Sequence, residues 1–278
     1  MTFVLSQSNY GKSEIRLVKV VRAPGRHELS DVTVDVRLDG DFDAAHSEGD
    51  NSALLATDTM RNAVYVLAAK HDVAQLEAFG RALVEHFVAA GPTVRRAQVR
   101  LVEHPWARLG EHEHGFQRGN GGDRVAIVTG DEHRARIEAG IEGLELLRTT
   151  GSGWSGFLRD DLTTLPETED RILATALSAR WSYAEGGIDY TAAWRDARDA
   201  ILESFADHVS PSAQFTLRRM GRAVLKAVEA IERVHLSLPN RHHLLYDLSR
   251  FGLENPNEVF HATTEPYGLI EGTVERAH

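Results

Sequence analysis

Asn240 and His242 stand two residues apart in Leu238-Pro239-Asn240-Arg241-His242-His243, where Pro239 favours an extended entry into a strand. On a strand alternate side chains share a face, so an amide would stand beside a titratable imidazole. A histidine in such a place is more often an ordinary structural residue. Arg171, in Asp170-Arg171-Ile172-Leu173, is open to two readings. One is a surface charge beside an apolar pair. The other is a planar guanidinium, the natural bidentate partner of a planar anion. Phe157 follows the glycine-rich run Gly151-Ser152-Gly153-Trp154-Ser155-Gly156. It either closes a turn or presents an aromatic platform to a flat ligand. Glu111-His112-Glu113-His114 is the best metal-like cluster, with His112 and His114 on one face if the segment is a strand and His104 nearby. A third well-placed ligand is not evident, and alternating His and Glu also occur on solvated loops.

Other chemistries are excluded. The 278 residues include no cysteine, which removes disulfides, thiolate nucleophiles and Cys-ligated metals. Gly119-Asn120-Gly121-Gly122 lacks the Gly-Lys-Ser/Thr of a phosphate-binding loop and reads as a turn. There is no Gly-x-Ser-x-Gly elbow and no His-Glu-x-x-His helix. A formal charge of −10 repels phosphate backbones, so nucleic acid is not an expected partner. A small anionic substrate would need a local positive pocket. No stretch approaches the ~20 apolar residues of a membrane span, and Met1 to Tyr10 does not read as a signal peptide. The final Glu275-Arg276-Ala277-His278 is not a peroxisomal address.

The elements that must position these residues follow from periodicity. Ile15 to Val21 and Leu29 to Leu38, around Ala23-Pro24-Gly25, read as an antiparallel hairpin. Thr57-Asp58-Thr59 offers N-cap residues for a short helix. Val73 to Ala90 repeats at helical spacing and stops at Gly91-Pro92. Val94 to Trp106 and Val125 to Thr129 read as strands. In the second half, Ile137 to Leu147 and Arg171 to Tyr183 are strand-like, and Ile188 to His208 and Gln214 to Val234 are helical. Short strands over 244–248, 258–262 and 269–274 close the chain. The order strands, helices, strands occurs twice, which predicts two α+β halves split near 131–136, taken as 1–133 and 134–278.

Several segments, in order along nearly the whole chain, resemble the urate oxidase family. They are Tyr10-Gly11-Lys12; Asp50-Asn51-Ser52 leading to Ala56-Thr57-Asp58-Thr59; Trp154 to Asp160; Thr163 to Thr168; Asp170 to Leu173; Ser212-Ala213-Gln214; Ser237 to His242; Glu258-Val259-Phe260; and Gly268-Leu269-Ile270. Each is weak alone, and the ordered set is specific.

The resemblance implies two tandem tunnelling-fold (T-fold) halves, each an antiparallel sheet with helices on one face. It implies a homotetramer whose sheets form a barrel, with active sites between subunits. It also implies oxidation of urate by molecular oxygen to 5-hydroxyisourate and hydrogen peroxide, with no cofactor. Phe157 would stack on the purine, Arg171 would grip the urate anion, and Gln214 would bond its opposite edge with help from the Ala213 amide. Thr57 and Asp58 would add contacts from the neighbouring subunit, and Leu165 would line the pocket. Asn240 would hold oxygen, peroxide or water above the ring. Lys12, Thr57 and His242 would relay protons.

Ala213 stands where a larger aliphatic is common in the family, Arg241 where Lys is frequent, and Glu169 where an aromatic is often found. The lack of a peroxisomal tail favours a bacterial cytoplasmic enzyme. Two alternatives compete: a zinc-dependent T-fold enzyme acting on a purine or pterin, and a non-catalytic purine-binding scaffold. The missing cysteines weigh against the first. Lys12, Thr57, Asn240 and His242 together weigh against the second, since binding alone needs no relay.

Overall fold

The structure is a computed structural model that describes residues 3–184 and 187–277. The chain divides into two compact units between Gly140 and Ile141.

The first unit opens with β1 (Tyr10–Ala23) and β2 (Arg26–Gly40), an antiparallel hairpin turning at Pro24-Gly25. Gly25 has φ +76°, a conformation that glycine adopts without penalty. After the short α1 (Asp43–Ser47) come two long helices, α2 (Thr57–Lys70) and α3 (Leu76–Ala89). β3 (Val94–Glu103) and β6 (Asp123–Gly130) extend the sheet in the order β1-β2-β3-β6, every pairing antiparallel. Between them, β4 (Trp106–Arg108) and β5 (Phe116–Arg118) pair as a small ribbon.

Alternation along β2 explains the layering. Val32, Val34, Val36 and Leu38 are buried, as are their neighbours Val99 and Leu101 and, beyond them, Ala126 and Val128. Leu76, Phe79, Leu83 and Phe87 of α3 and Met60 and Val64 of α2 are buried with them, and α3 packs on β3 and β6. A Cβ on Gly80 would lie 2.8 Å from both Leu101 and Val128, so glycine lets the helix sit close on the sheet. The alternate residues carry charge: Arg16–Asp31 at 2.8 Å, Arg96–Asp39 at 3.2 Å and Arg100–Asp35 at 3.7 Å.

A buried ion pair joins a helix to the sheet in this unit. Glu77 of α3 and Arg124 of β6 meet at 2.7 Å, with the Glu77 side chain fully buried. Burial pushes the Glu77 carboxyl up, and the Arg124 guanidinium draws it partly back. Glu77→Ala removes the nearer of the two carboxylates beside Arg124, the other being Glu103 at 3.9 Å, so urea denaturation should show a loss of about 3 kcal/mol. Glu77→Gln, which keeps a hydrogen-bonding group, should cost less than half of that; equal stability of the alanine variant and the parent would refute the role.

β7 (Ala135–Arg148) runs through the division between the units. The second unit holds β8 (Leu173–Tyr183), α4 (Tyr190–Ala206), α5 (Ala213–Ala227), β9 (Ile231–Arg241) and β12 (Gly268–Glu275), with β8-β9-β12 antiparallel. β10 (His243–Leu245) pairs with β11 (Phe260–Ala262), and a 3-10 turn at Ser249–Phe251 lies between them. Val234, Leu236 and Leu238 alternate inward, while Leu217, Met220 and Val224 of α5 are buried and α5 packs on β9 and β12. The buried stripe Ala193, Ala197, Ile201 and Phe205 of α4 accompanies its packing on α5.

Both long helices of the second unit differ in their boundaries from the sequence reading. The helix expected over 188–208 runs Tyr190–Ala206, with the Asp189 side chain accepting from the Ala192 N–H at 3.0 Å as its cap. The helix expected over 214–234 stops at Ala227, and Ile231 and Val234 are strand residues of β9. Val228 and Ile231 stay in helical phase with Leu217 and Val224, and no glycine or proline marks the end. The period-two run Val234, Leu236, Leu238 decides the matter once paired with β8 and β12. No helix among the described residues is long and apolar enough to cross a membrane.

Candidate active site

In the first unit, Lys12 lies half-buried on β1 opposite Val36. Just beyond it the register steps from Lys12↔Val36 to Ile15↔Val34, so β1 carries one extra residue, a bulge. Glu14 takes φ +58° there, and its N–H donates to Asp35 Oδ1 at 2.8 Å. Gly11 has no freedom to change, because a Cβ would fall 1.8 Å from the Val36 carbonyl oxygen. Tyr10 ties this strand to the entry of α2: its hydroxyl accepts from the Leu55 N–H at 2.8 Å, and its ring meets Phe42 edge-on at 4.9 Å. Burial pushes the Tyr10 phenol up.

Ala56 caps α2, so Thr57 is the first helical residue and not the cap, and the helix runs 14 residues. Met60 N–H closes the first turn on the Ala56 carbonyl at 3.1 Å, leaving the N–H groups of Thr57, Asp58 and Thr59 with no partner inside the helix. Asp58 pairs with Arg61 at 2.6 Å and accepts from Asn62 at 3.1 Å. Thr57 and Asp58 are both exposed on the single chain.

In the second unit, the 150s loop is folded back on itself. Trp154 N–H donates to the Thr168 carbonyl at 2.7 Å, and Thr168 N–H returns the bond at 3.0 Å. The Trp154 and Phe157 rings stack with centroids 5.7 Å apart and planes 12° from parallel. Gly156, at φ +68°, makes the turn between them. Arg171 lies near this aromatic pair, its guanidinium 5.9 Å from the Trp154 ring centroid. Its Nε is buried with no hydrogen-bond partner among the described residues, and burial pushes the guanidinium below its ordinary value while it stays a cation. Leu165 is exposed.

Asp170 knots the loop: it accepts from the Thr150 hydroxyl at 2.8 Å and from the amides of Gly151 and Ser152 at 2.7 and 3.4 Å. The Thr150 hydroxyl, with those amides, holds its carboxyl below the usual range. Arg171 N–H donates to the Ser152 carbonyl at 2.7 Å, and Ser152 bridges Ser210. Ser212 then caps α5 by accepting from Phe215 N–H at 3.1 Å. This places buried Ala213 and exposed Gln214 in the first turn of α5. Asn240 is buried on β9, between Thr175 of β8 and Gly268 of β12. β9 ends at Arg241, so His242 is the single residue between β9 and β10, and strand alternation does not extend to it.

Backbone bonds therefore tie together the segments that carry Phe157, Arg171, Ala213 and Gln214. It connects Lys12 with the start of Thr57's helix through Tyr10. Sequence reasoning missed Tyr10, Ser152, Asp170 and Ser210 as anchors. Asp170 adjoins the candidate arginine, which was the signal available for it; the serines gave none. Among the described residues no three His, Asp or Glu side chains gather as a possible metal-ligand set; His114 instead lies with its ring 6.0 Å from that of His27.

The Uricase family model matches residues 8–129 and 137–271. This chain belongs to the uricase family. A uricase from Arthrobacter globiformis is 45% identical over 98% of this chain and 90% of its own length. One from Dictyostelium discoideum is 37% identical over 99% and 98%. The crystal structure of the Arthrobacter globiformis uricase superposes with a TM-score of 0.96 at 44% identity, covering 99% of this chain and 96% of that one. A urate oxidase from Bacillus sp. TB-90 shares the fold at a TM-score of 0.81 and 22% identity. Antiparallel strands backed by paired helices in each unit are the T-fold plan of this family.

Proposed function

We propose that this chain oxidises urate with molecular oxygen and needs neither metal nor flavin to do so. The observation that carries the reading is Arg171: a buried guanidinium Nε with no hydrogen-bond partner among the described residues, beside an aromatic stack, in a member of the uricase family. A guanidinium fork matches a planar anion bidentately, and burial strengthens the pair. The local field of this one residue outweighs the chain's net charge of −10.

In this reading Phe157 stacks on the purine, Arg171 and Gln214 hold its two edges, and the Ala213 amide adds a bond. Leu165 lines the pocket. Thr57 and Asp58 complete it from a neighbouring subunit of a homotetramer, in keeping with the exposure of Thr57, Asp58 and Gln214 on the isolated chain. Lys12, Thr57 and His242 pass protons, and Asn240 holds oxygen and later water over the ring. Two electrons leave the deprotonated purine for oxygen, which takes up two protons and departs as hydrogen peroxide. Water supplies the hydroxyl that gives 5-hydroxyisourate. The protein contributes proximity, charge and proton transfer, each of which needs only fixed side chains. The halves 1–133 and 134–278 are the two T-fold repeats, and the bacterial cytoplasm is the expected setting.

Dialysis against a chelator separates this reading from the zinc-dependent one. Turnover of urate should survive dialysis unchanged, and added zinc should not raise it. Loss of turnover that zinc restores would overturn the cofactor-free reading.

A further inference from the structure

Arg171 and Gln214 sit on separate segments, and one pair of residues sets their spacing. Ser152 accepts from Arg171 N–H at 2.7 Å; Gly153 N–H donates to the Ser210 carbonyl and Ser210 N–H to the Gly151 carbonyl, both at 2.8 Å. Two residues on, Ser212 begins α5 and so places Gln214. Any shift of Ser210 along this bridge moves Gln214 relative to Arg171.

A buried polar chain that the reaction does not use holds Ser210 in place. The hydroxyls of Ser210 and Thr216 are 2.7 Å apart, and Thr216 Oγ1 is 2.8 Å from His208 Nε2. His208 Nδ1 donates to the Ser204 carbonyl at 2.7 Å, since a carbonyl only accepts, which ties the chain to the last turn of α4. The Ser210 hydroxyl also lies 3.1 Å from the Ser212 carbonyl oxygen. Ser152, Ser210 and Thr216 are all fully buried. Arg148 braces the same corner, donating to the carbonyls of Phe205 at 3.1 Å, Gly151 at 3.0 Å and His208. A hydroxyl-to-imidazole chain is directional where an apolar contact is not, so it fixes a position and not only a volume.

We propose that Thr216, with His208 behind it, is a positioning residue for the substrate clamp: it fixes Ser210, and through the Ser152–Ser210 bridge the spacing of Arg171 and Gln214, without touching the purine. This rests on Arg171 and Gln214 being the clamp. Thr216→Val keeps the buried volume and removes the hydroxyl; Ser210→Ala removes its partner.

The test is steady-state turnover of urate together with equilibrium binding of xanthine, a planar purine with no 8-oxo group. Thr216→Val and Ser210→Ala should each raise KM for urate and Kd for xanthine roughly tenfold, the factor of one lost buried hydrogen bond, with kcat held within about twofold. Thr216→Ser should return both constants to the parent values. A merely structural role lowers the active fraction, and so kcat, while leaving KM and Kd alone; that result overturns the proposal. Parent-like constants in both variants overturn it too. Should the valine variant fail to fold, Ser210→Ala and Thr216→Ser decide. Absence of urate turnover by the parent protein would instead sink the clamp reading itself.

Discussion

Lys12→Met should abolish most turnover and spare binding. Methionine matches the lysine stem in length and suits a half-buried strand position, so the bulge after Lys12 and the tie between Tyr10 and Leu55 should stay intact. Only the amine is lost. Removing a positioned proton carrier costs about 10²–10⁴-fold in kcat, the range for general acid–base catalysis. Xanthine affinity should remain within about threefold of the parent, because the loss lies in the transition state and not in ground-state contacts. Rapid-mixing turnover and xanthine titration on the same preparation check this. Parent-like kcat would remove Lys12 from the relay.

Arg171→Ala should act in the opposite way, weakening binding first. The guanidinium Nε has no hydrogen-bond partner among the described residues, so it is a donor that a bound anion could take up. Deleting a charged, partly buried donor pair costs about 3 kcal/mol, roughly a hundredfold in KM and in xanthine Kd. Arg171→Lys should recover little, because an ammonium is a point charge that cannot offer the planar fork. The Arg171 backbone bond to Ser152 survives both changes, so thermal stability should move little. A parent-like Michaelis constant in the alanine variant would rule out the clamp.

How far the sequence alone reaches differs between fold and site. The β1–β2 hairpin was legible because Val32, Val34, Val36 and Leu38 alternate and Pro24-Gly25 marks a turn. The helix α3 was legible because Leu76, Phe79, Leu83 and Phe87 share one face. The end of α5 was not, since Val228 and Ile231 fit a helical stripe until strand pairing claims Ile231. Asn240, expected in extended chain after Pro239, lies on β9 between Thr175 and Gly268. Asn240 and His242 share a face only on a continuous strand, and the pairing stops one residue short of His242.

The candidate site was legible through ordered short segments more than through any periodicity. What stayed hidden were the anchors. Ser152 and Ser210 act through backbone groups on segments far apart in the chain, and Tyr10 reaches Leu55 through a single hydroxyl. Neither kind of contact leaves a pattern in residue type or spacing. A buried serine and a surface serine look alike until the fold brings the partner.

The most direct measurement follows urate absorbance and hydrogen peroxide together, with chelator-treated protein in air-saturated buffer. The account predicts that urate disappears and peroxide appears mole for mole, with oxygen consumed in step. Urate left untouched by well-folded protein, or consumed without peroxide, would contradict it.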